Sequence, residues 1–200
     1  MKLYHSPTSP FVRKVMVLVL ETGLGPRVEL VPASGTPIAP GTMPVDHNPL
    51  GKIPALVCDD GRVLYDSRVI CRYLDQLSGA GLYPADTLWD VLTLEATADG
   101  MMEAAVLMVY ESRLRPEDKR FPDWVEGQWT KVARALTALE RNWTRHLDGP
   151  VDMGQLALGC ALGYLDFRHA DRTWREGHPN LAAWEARFAL RPAMQATRPV

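Results

Sequence analysis

Three short stretches carry residue types and spacings that suit the capture of a small extended peptide. Asn48-Pro-Leu-Gly-Lys-Ile-Pro-Ala-Leu-Val57 reads as a loop whose Pro54 sits directly before a hydrophobic strand. Tyr65-Asp-Ser-Arg68 reads as the polar start of a helix. A peptide could pair with the sheet edge beside Pro54 like an added strand. Its charged end could be held by the unpaired amides and partial positive charge of the helix N-terminus. Ser6-Pro-Thr-Ser-Pro10 sets the hydroxyls of Thr8 and Ser9 just ahead of another helix. A hydroxyl there could donate to the sulfur of a bound thiol, and hydrogen bonding to the charged form lowers a pKa.

The chain's own side chains offer little competing chemistry. Cys58, Cys71 and Cys160 are widely spaced and odd in number, with no C-x-x-C pair. They are expected to be small buried hydrophobes in a reducing compartment. The five histidines form no H-E-x-x-H or other metal spacing, and no phosphate-loop or dinucleotide glycine pattern occurs, so no metal is expected. Asp166, Arg168, His169 and Asp171 cluster at one helix end and read as local capping and ion pairing.

Elements must position these groups. Lys2 to His5 is a short strand. Phe11 to Glu21 has apolar residues at Phe11, Val12, Val15, Met16, Val19 and Leu20, a helical spacing. Val17 and Leu18 fill the gap, so the helix should be buried on most sides, although its four valines also suit a strand. Val28 to Val31 is a second strand. The six prolines from Pro32 to Pro54 exclude regular structure over most of that span and predict an irregular, partly mobile loop flanking a site. Ala55 to Cys58 and Val63 to Tyr65 form a hairpin around Asp59-Asp60-Gly61. A helix over Ser67 to Leu77 should bury Val69, Ile70, Tyr73, Leu74 and Leu77.

No convincing strand follows Pro84. Val91, Leu94, Ala98, Met101, Ala105 and Met108 recur by threes and fours, as do Trp129, Val132, Leu136, Leu139 and Trp143, which predicts two long bundle helices. Leu156 to Leu165 has no charged residue and should be the buried central helix. Gly159 and Gly163 would let a neighbouring helix approach, and Asp152 with Gln155 reads as a capping box. A further helix begins near Asn180, buries Leu181, Trp184 and Phe188, and is interrupted at Arg191-Pro192. The expected division is residues 1–78, a linker at 79–86, and an all-helical domain at 87–200.

Across 200 residues, a hydrophobic fraction of 46% and a net charge of -2 fit a soluble globular protein. No basic run argues for nucleic acid, no apolar run spans a bilayer, and the first residues lack a signal-peptide core, so a cytoplasmic location is expected.

These residues resemble the cytosolic glutathione S-transferases over essentially the whole chain. The resemblance rests on Ser6-Pro-Thr-Ser-Pro-Phe-Val-Arg-Lys14, Asn48-Pro-Leu-Gly-Lys-Ile-Pro54, Asp66-Ser67, Asp152-Met-Gly-Gln-Leu-Ala-Leu-Gly-Cys-Ala-Leu-Gly-Tyr-Leu-Asp166 and Arg191-Pro-Ala-Met-Gln195. It is nearest to bacterial serine-type members. It implies an α/β thioredoxin-like N-terminal domain, an all-α helical-bundle C-terminal domain, glutathione as co-substrate and a homodimer.

By the same resemblance, Ile53–Pro54 would be cis and the Ile53 main chain would pair with the cysteinyl backbone of glutathione. Asp66 and Ser67 would hold the γ-glutamyl end. Lys52 and Asn48 would meet the glycyl carboxylate. Ser9, with Thr8 as alternative, would stabilise the thiolate. The absence of cysteine at either position departs from the omega and beta classes and argues against thiol-transferase chemistry. Arg13 is read as a brace and Tyr4 as core. Phe11, Met102 and Tyr110 are candidate walls for a small electrophilic substrate. The reading is a transferase. Its alternatives are a glutathione-binding protein with little catalysis, and a glutathione-dependent isomerase or dehalogenase.

Overall fold

A computed structural model describes residues 1–199. The N-terminal part is a four-stranded sheet in the order β2-β1-β3-β4, formed by β1 (Lys2–His5), β2 (Glu29–Pro32), β3 (Ala55–Val57) and β4 (Val63–Leu64). β1 and β2 are parallel and joined across helix α1 (Pro10–Glu21), as a strand–helix–strand crossover requires. β3 runs antiparallel to both β1 and β4. β2 begins one residue later than its hydropathy suggests. The Val28 amide is spent on Gly25 O at 3.1 Å, closing a single turn of 3₁₀ helix. Pro32 is tolerated at the end of β2 because that strand lies at the sheet edge.

Helix wins over strand at the valine-rich stretch because both ends are specified. Ser9 caps the start, its Oγ accepting from the Val12 amide at 3.3 Å, and Pro10 occupies the first turn. Thr22 closes the end by donating from N–H and hydroxyl to Leu18 O, and Gly23 takes the left-handed turn at φ 69°. Helix α2 (Ser67–Ser78) packs Ile70, Cys71 and Leu74 inward. Val69, expected on that face, is exposed: it lies next to Ile70 but about 100° away around the helix.

The remainder is helical: α3 (Leu88–Leu114), α4 (Pro122–Asn142), α5 (Thr144–Leu147), α6 (Met153–Arg168), α7 (Pro179–Phe188) and α8 (Pro192–Ala196). The six seam residues of α3 from Val91 to Met108 are all buried, as the spacing predicts. α6 is enclosed along nearly its full length. A side chain at Gly159 would strike the ring of Phe188, and one at Gly163 would strike the guanidinium of Arg13. The second contact is with α1, so this glycine admits a charged brace from the sheet domain rather than another helix of the bundle. Arg13 donates to Met194 O at 3.1 Å and to Thr197 Oγ1 at 3.4 Å.

Asp152 caps α6 by accepting from the Gln155 amide at 3.0 Å. Gln155 does not complete a capping box. Its Nε2 donates instead to His146 O and Pro150 O, stitching α5 to the loop before α6. The second oxygen of Asp152 meets His146 Nε2 at 2.7 Å.

A charge cluster fastens the sheet domain to the helices. Lys14 of α1 is fully buried, with Nζ 3.0 Å from Glu95 Oε1 and 2.8 Å from Asp99 Oδ1. Tyr83 donates its hydroxyl to Glu95 Oε2 at 3.0 Å. Arg68, in the first turn of α2, brings Nε to 3.7 Å from Asp99 Oδ2. Burial alone would lower the Lys14 pKa, but the carboxylates of Asp99 and Glu95, with the hydrogen bond to Asp99, outweigh it and hold the ammonium above the ordinary lysine value. Burial pushes Glu95 and Asp99 upward, with Lys14 pulling each back.

Removing one partner of such a cluster strands the other charges. Lys14→Met is therefore expected to cost about 3–5 kcal/mol, read as a lowered urea midpoint. Adding Glu95→Gln and Asp99→Asn to that variant should recover part of the loss. Because the folded lysine pKa lies above the unfolded value near 10.5, its contribution is fully present below pH 10.5 and is lost as pH rises through the folded value. Denaturation of the wild type and Lys14→Met at pH 7, 9 and 11 checks the sign, since the gap between them should be constant to pH 9 and shrink beyond 10.5. Separately, Asp152→Ala should cost about 1–2 kcal/mol through the lost cap, and Asp152→Asn distinctly less.

Candidate active site

Three chain segments meet at the end of the sheet that carries the C-terminus of β1. The first is the turn Ser6–Ser9, closed by Ser9 N–H donating to Ser6 O at 3.1 Å. Ser9 Oγ already accepts from the Val12 amide, which leaves its hydroxyl proton to donate elsewhere. Thr8 is engaged differently: its Oγ1 lies 3.3 Å from Ser6 Oγ. Both hydroxyls are half-buried.

The second segment is the loop into β3. The Ile53–Pro54 bond is cis. Among the described residues, no hydrogen bond uses the main-chain N–H or C=O of Ile53. The loop is shaped by Asn48, which is 2% exposed, donates from Nδ2 to Lys52 O at 2.8 Å and accepts from Leu50 N–H at 3.1 Å. Those bonds set the Asn48 amide to shaping the loop and use one of its two N–H donors. Lys52 is exposed.

The third segment is the first turn of α2. Asp66 is its cap, with Oδ1 accepting from the Arg68 amide at 3.0 Å and Oδ2 from the Arg68 guanidinium at 2.8 Å. Burial would raise the Asp66 carboxyl, but the Arg68 bonds prevail and hold it below the usual carboxylate range. Ser67 is 2% exposed. Among the described residues, the amides of Ser67 and Val69 have no acceptor in the chain. Free amides at the start of a 12-residue helix make an anion site.

The residues expected around the pocket are placed unevenly. Phe11 is partly buried at the start of α1, and Tyr110 is partly exposed on α3. Met102 is 1% exposed and sealed within the core, so it forms no open wall. Tyr4 is half-buried rather than core, with its ring 5.3 Å from that of His47. Arg13 is the brace described above. No thiol of the chain competes with a ligand's sulfur, since all three cysteines are buried. Burial pushes Cys160 up to about 11 and Cys71 well above its ordinary value.

Sequence reasoning missed the Lys14–Glu95–Asp99 cluster. A signal existed: Lys14 interrupts an otherwise apolar helix, and Glu95 and Asp99 stand four apart beside Leu94 and Ala98 of the α3 seam.

Comparison with known proteins agrees with this geometry. Residues 8–77 match the model of the glutathione S-transferase N-terminal domain, and residues 122–187 that of the C-terminal domain. A glutathione transferase family member from Pseudomonas fluorescens Pf-5, solved with bound glutathione, is 50% identical and superposes with a TM-score of 0.97 over 100% of this chain and 98% of its own. A second structure from that bacterium holds S-(propanoic acid)-glutathione, with 49% identity and a TM-score of 0.93 over the full length of both chains. The uncharacterised GST-like protein YibF of Escherichia coli K12 is 34% identical over 100% of this chain and 98% of its own. A thioredoxin-like sheet domain joined to a helical domain, with the matching motifs in order along both, places this chain in the glutathione S-transferase superfamily.

Proposed function

We propose that the protein is a glutathione transferase: it binds glutathione, stabilises its thiolate and directs the sulfur to an electrophilic small molecule. The observation that carries this reading is the pair of unpaired main-chain sets, at Ile53 and in the first turn of α2. They match a peptide with a central amide edge and a terminal carboxylate. The N–H and C=O of Ile53 take the cysteinyl backbone as one rung of a sheet. The Ser67 amide and hydroxyl hold the γ-glutamyl carboxylate, and Asp66 faces the neighbouring ammonium. Lys52 takes the glycyl carboxylate. Glutathione bound in one Pseudomonas structure, and S-(propanoic acid)-glutathione in the other, support the same occupancy here.

Ser9 then donates to the sulfur. Its oxygen is already acting as the acceptor at the helix cap, so the proton is directed away from the helix, and the α1 N-terminus adds positive potential. Catalysis on this reading is positioning and electrostatic stabilisation, with no covalent intermediate on the enzyme. The electrophile sits over Phe11 and Tyr110. A homodimer is part of the proposal, and light scattering after size exclusion reads it.

A hydrogen bond to a charged group is worth about 1.5–3 kcal/mol. Ser9→Ala should therefore lower kcat/KM for an aromatic halide by about 10–100-fold and move the alkaline-rising limb of its pH profile up by about 1–2 units. Thr8→Ala should change it less than about 3-fold, since loss of a neutral contact to Ser6 costs little. Equal losses in both, or none in Ser9→Ala, would remove Ser9 from the role. Ser67→Ala should weaken glutathione binding by about 10-fold in calorimetry. Saturating glutathione should restore most of its turnover.

A further inference from the structure

Most arginines near the end of α6 are matched to carboxylates. Arg172 holds Glu126 at 2.6 Å, and Arg175 holds Asp166 at 2.5 Å and Glu185 at 2.7 Å. Arg168 is different. It was expected to join a local ion-pair cluster, but Asp166 beside it is already taken by Arg175 and by the Trp174 indole at 2.8 Å. Among the described residues, Arg168 has no carboxylate partner, and its Nε is the buried side-chain nitrogen left without any hydrogen bond. Its guanidinium lies 3.9 Å from the centre of the Phe167 ring, which holds the plane in a fixed orientation. An uncompensated, partly buried guanidinium is costly to fold around, and orphaned polar groups of this kind call for a ligand or another explanation.

Its surroundings lead towards the proposed pocket. Tyr164, one turn before Arg168 on α6, is 5% exposed. Burial raises its phenol, while Arg168 and Arg113 pull it back and Tyr110 raises it further. His169 Nε2 lies 3.0 Å from Ala105 O, which ties this end of α6 to the part of α3 just ahead of Tyr110. Gly163, next to Tyr164, lies against Arg13, one turn beyond Ser9 on α1.

We propose that Arg168, with Tyr164 beside it and Arg113 nearer the rim, forms a carboxylate subsite in the electrophile pocket, so that the substrates are electrophiles bearing a carboxylate. The inference rests on the glutathione-binding reading above and specifies the substrate class of the same cleft. A guanidinium presents paired N–H groups to both carboxylate oxygens, a geometry that an ammonium does not offer.

The test is calorimetry on the intact protein with reduced glutathione, S-propylglutathione and S-(2-carboxyethyl)glutathione. The two conjugates share a three-carbon chain on sulfur, which ends in a methyl in one and in a carboxylate in the other. The expected result is that the wild type binds the carboxyethyl conjugate about 10-fold more tightly than the propyl one. The preference should shrink to within about 2-fold in Arg168→Met and return in part in Arg168→Lys. The wild-type comparison decides the matter even if a variant folds poorly. Equal affinity for the two conjugates, in protein that binds glutathione, overturns the carboxylate subsite and leaves the transferase reading standing. No affinity for glutathione itself overturns that reading and this inference with it.

Discussion

Two of the three segments at the candidate site are tied to one buried carboxylate. Asp99 of α3 accepts from Lys14 Nζ at both of its oxygens, at 2.8 and 2.9 Å, and has Arg68 Nε at 3.7 Å. Lys14 lies little more than a turn from Ser9, and Arg68 follows Ser67 directly. One group of the helical domain thus sets the positions of two helix N-termini in the sheet domain. A hydrophobic contact of equal area would hold the domains together but would tolerate sliding. A buried ion pair is a weak source of net stability. Its geometric demand is strict, however, because a displaced partner would leave a charge unpaired in a medium of low dielectric. Glu95 and the Tyr83 hydroxyl complete the shell, so the lysine's donors are satisfied without water.

The site so positioned is made largely of main chain. Unpaired amides at the start of α2, the free edge at Ile53 and the cap of α1 are features that helices and strands leave at their ends. Side chains mostly support them. Asn48 shapes the loop, Asp66 caps α2, Arg68 holds Asp66, and Arg13 braces α1 against α6 through the gap left by Gly163. Such a site recognises peptide chemistry with few dedicated residues. On the proposed function, discrimination between second substrates would fall to side chains of α1, α3 and α6.

Local signals in the chain were legible where they act locally. The proline before β3, the Asp-Asp-Gly turn, the polar start of α2 and the charge-free run of α6 each determine structure within a few residues, and each appears as read. Errors arose where distant elements decide. Val69 and Met102 sit at positions whose burial depends on which neighbour packs alongside, and periodicity alone does not name that neighbour. Gln155 prefers two carbonyls of the preceding loop to the cap it was spaced for. Nothing within α1 reveals that the partners of Lys14 lie 81 and 85 residues away. Arg168 was read with its sequence neighbours, whereas Asp166 pairs with residues of the following loop.

The most direct test is a crystal structure of the protein with reduced glutathione. The account predicts the sulfur within hydrogen-bond reach of Ser9 Oγ, the γ-glutamyl carboxylate on the Ser67 amide, and the cysteinyl main chain paired with Ile53, while Lys14 and Arg68 keep their contacts to Asp99. A tripeptide seated elsewhere, or a sulfur whose nearest donor is Thr8 or no hydroxyl at all, would contradict it.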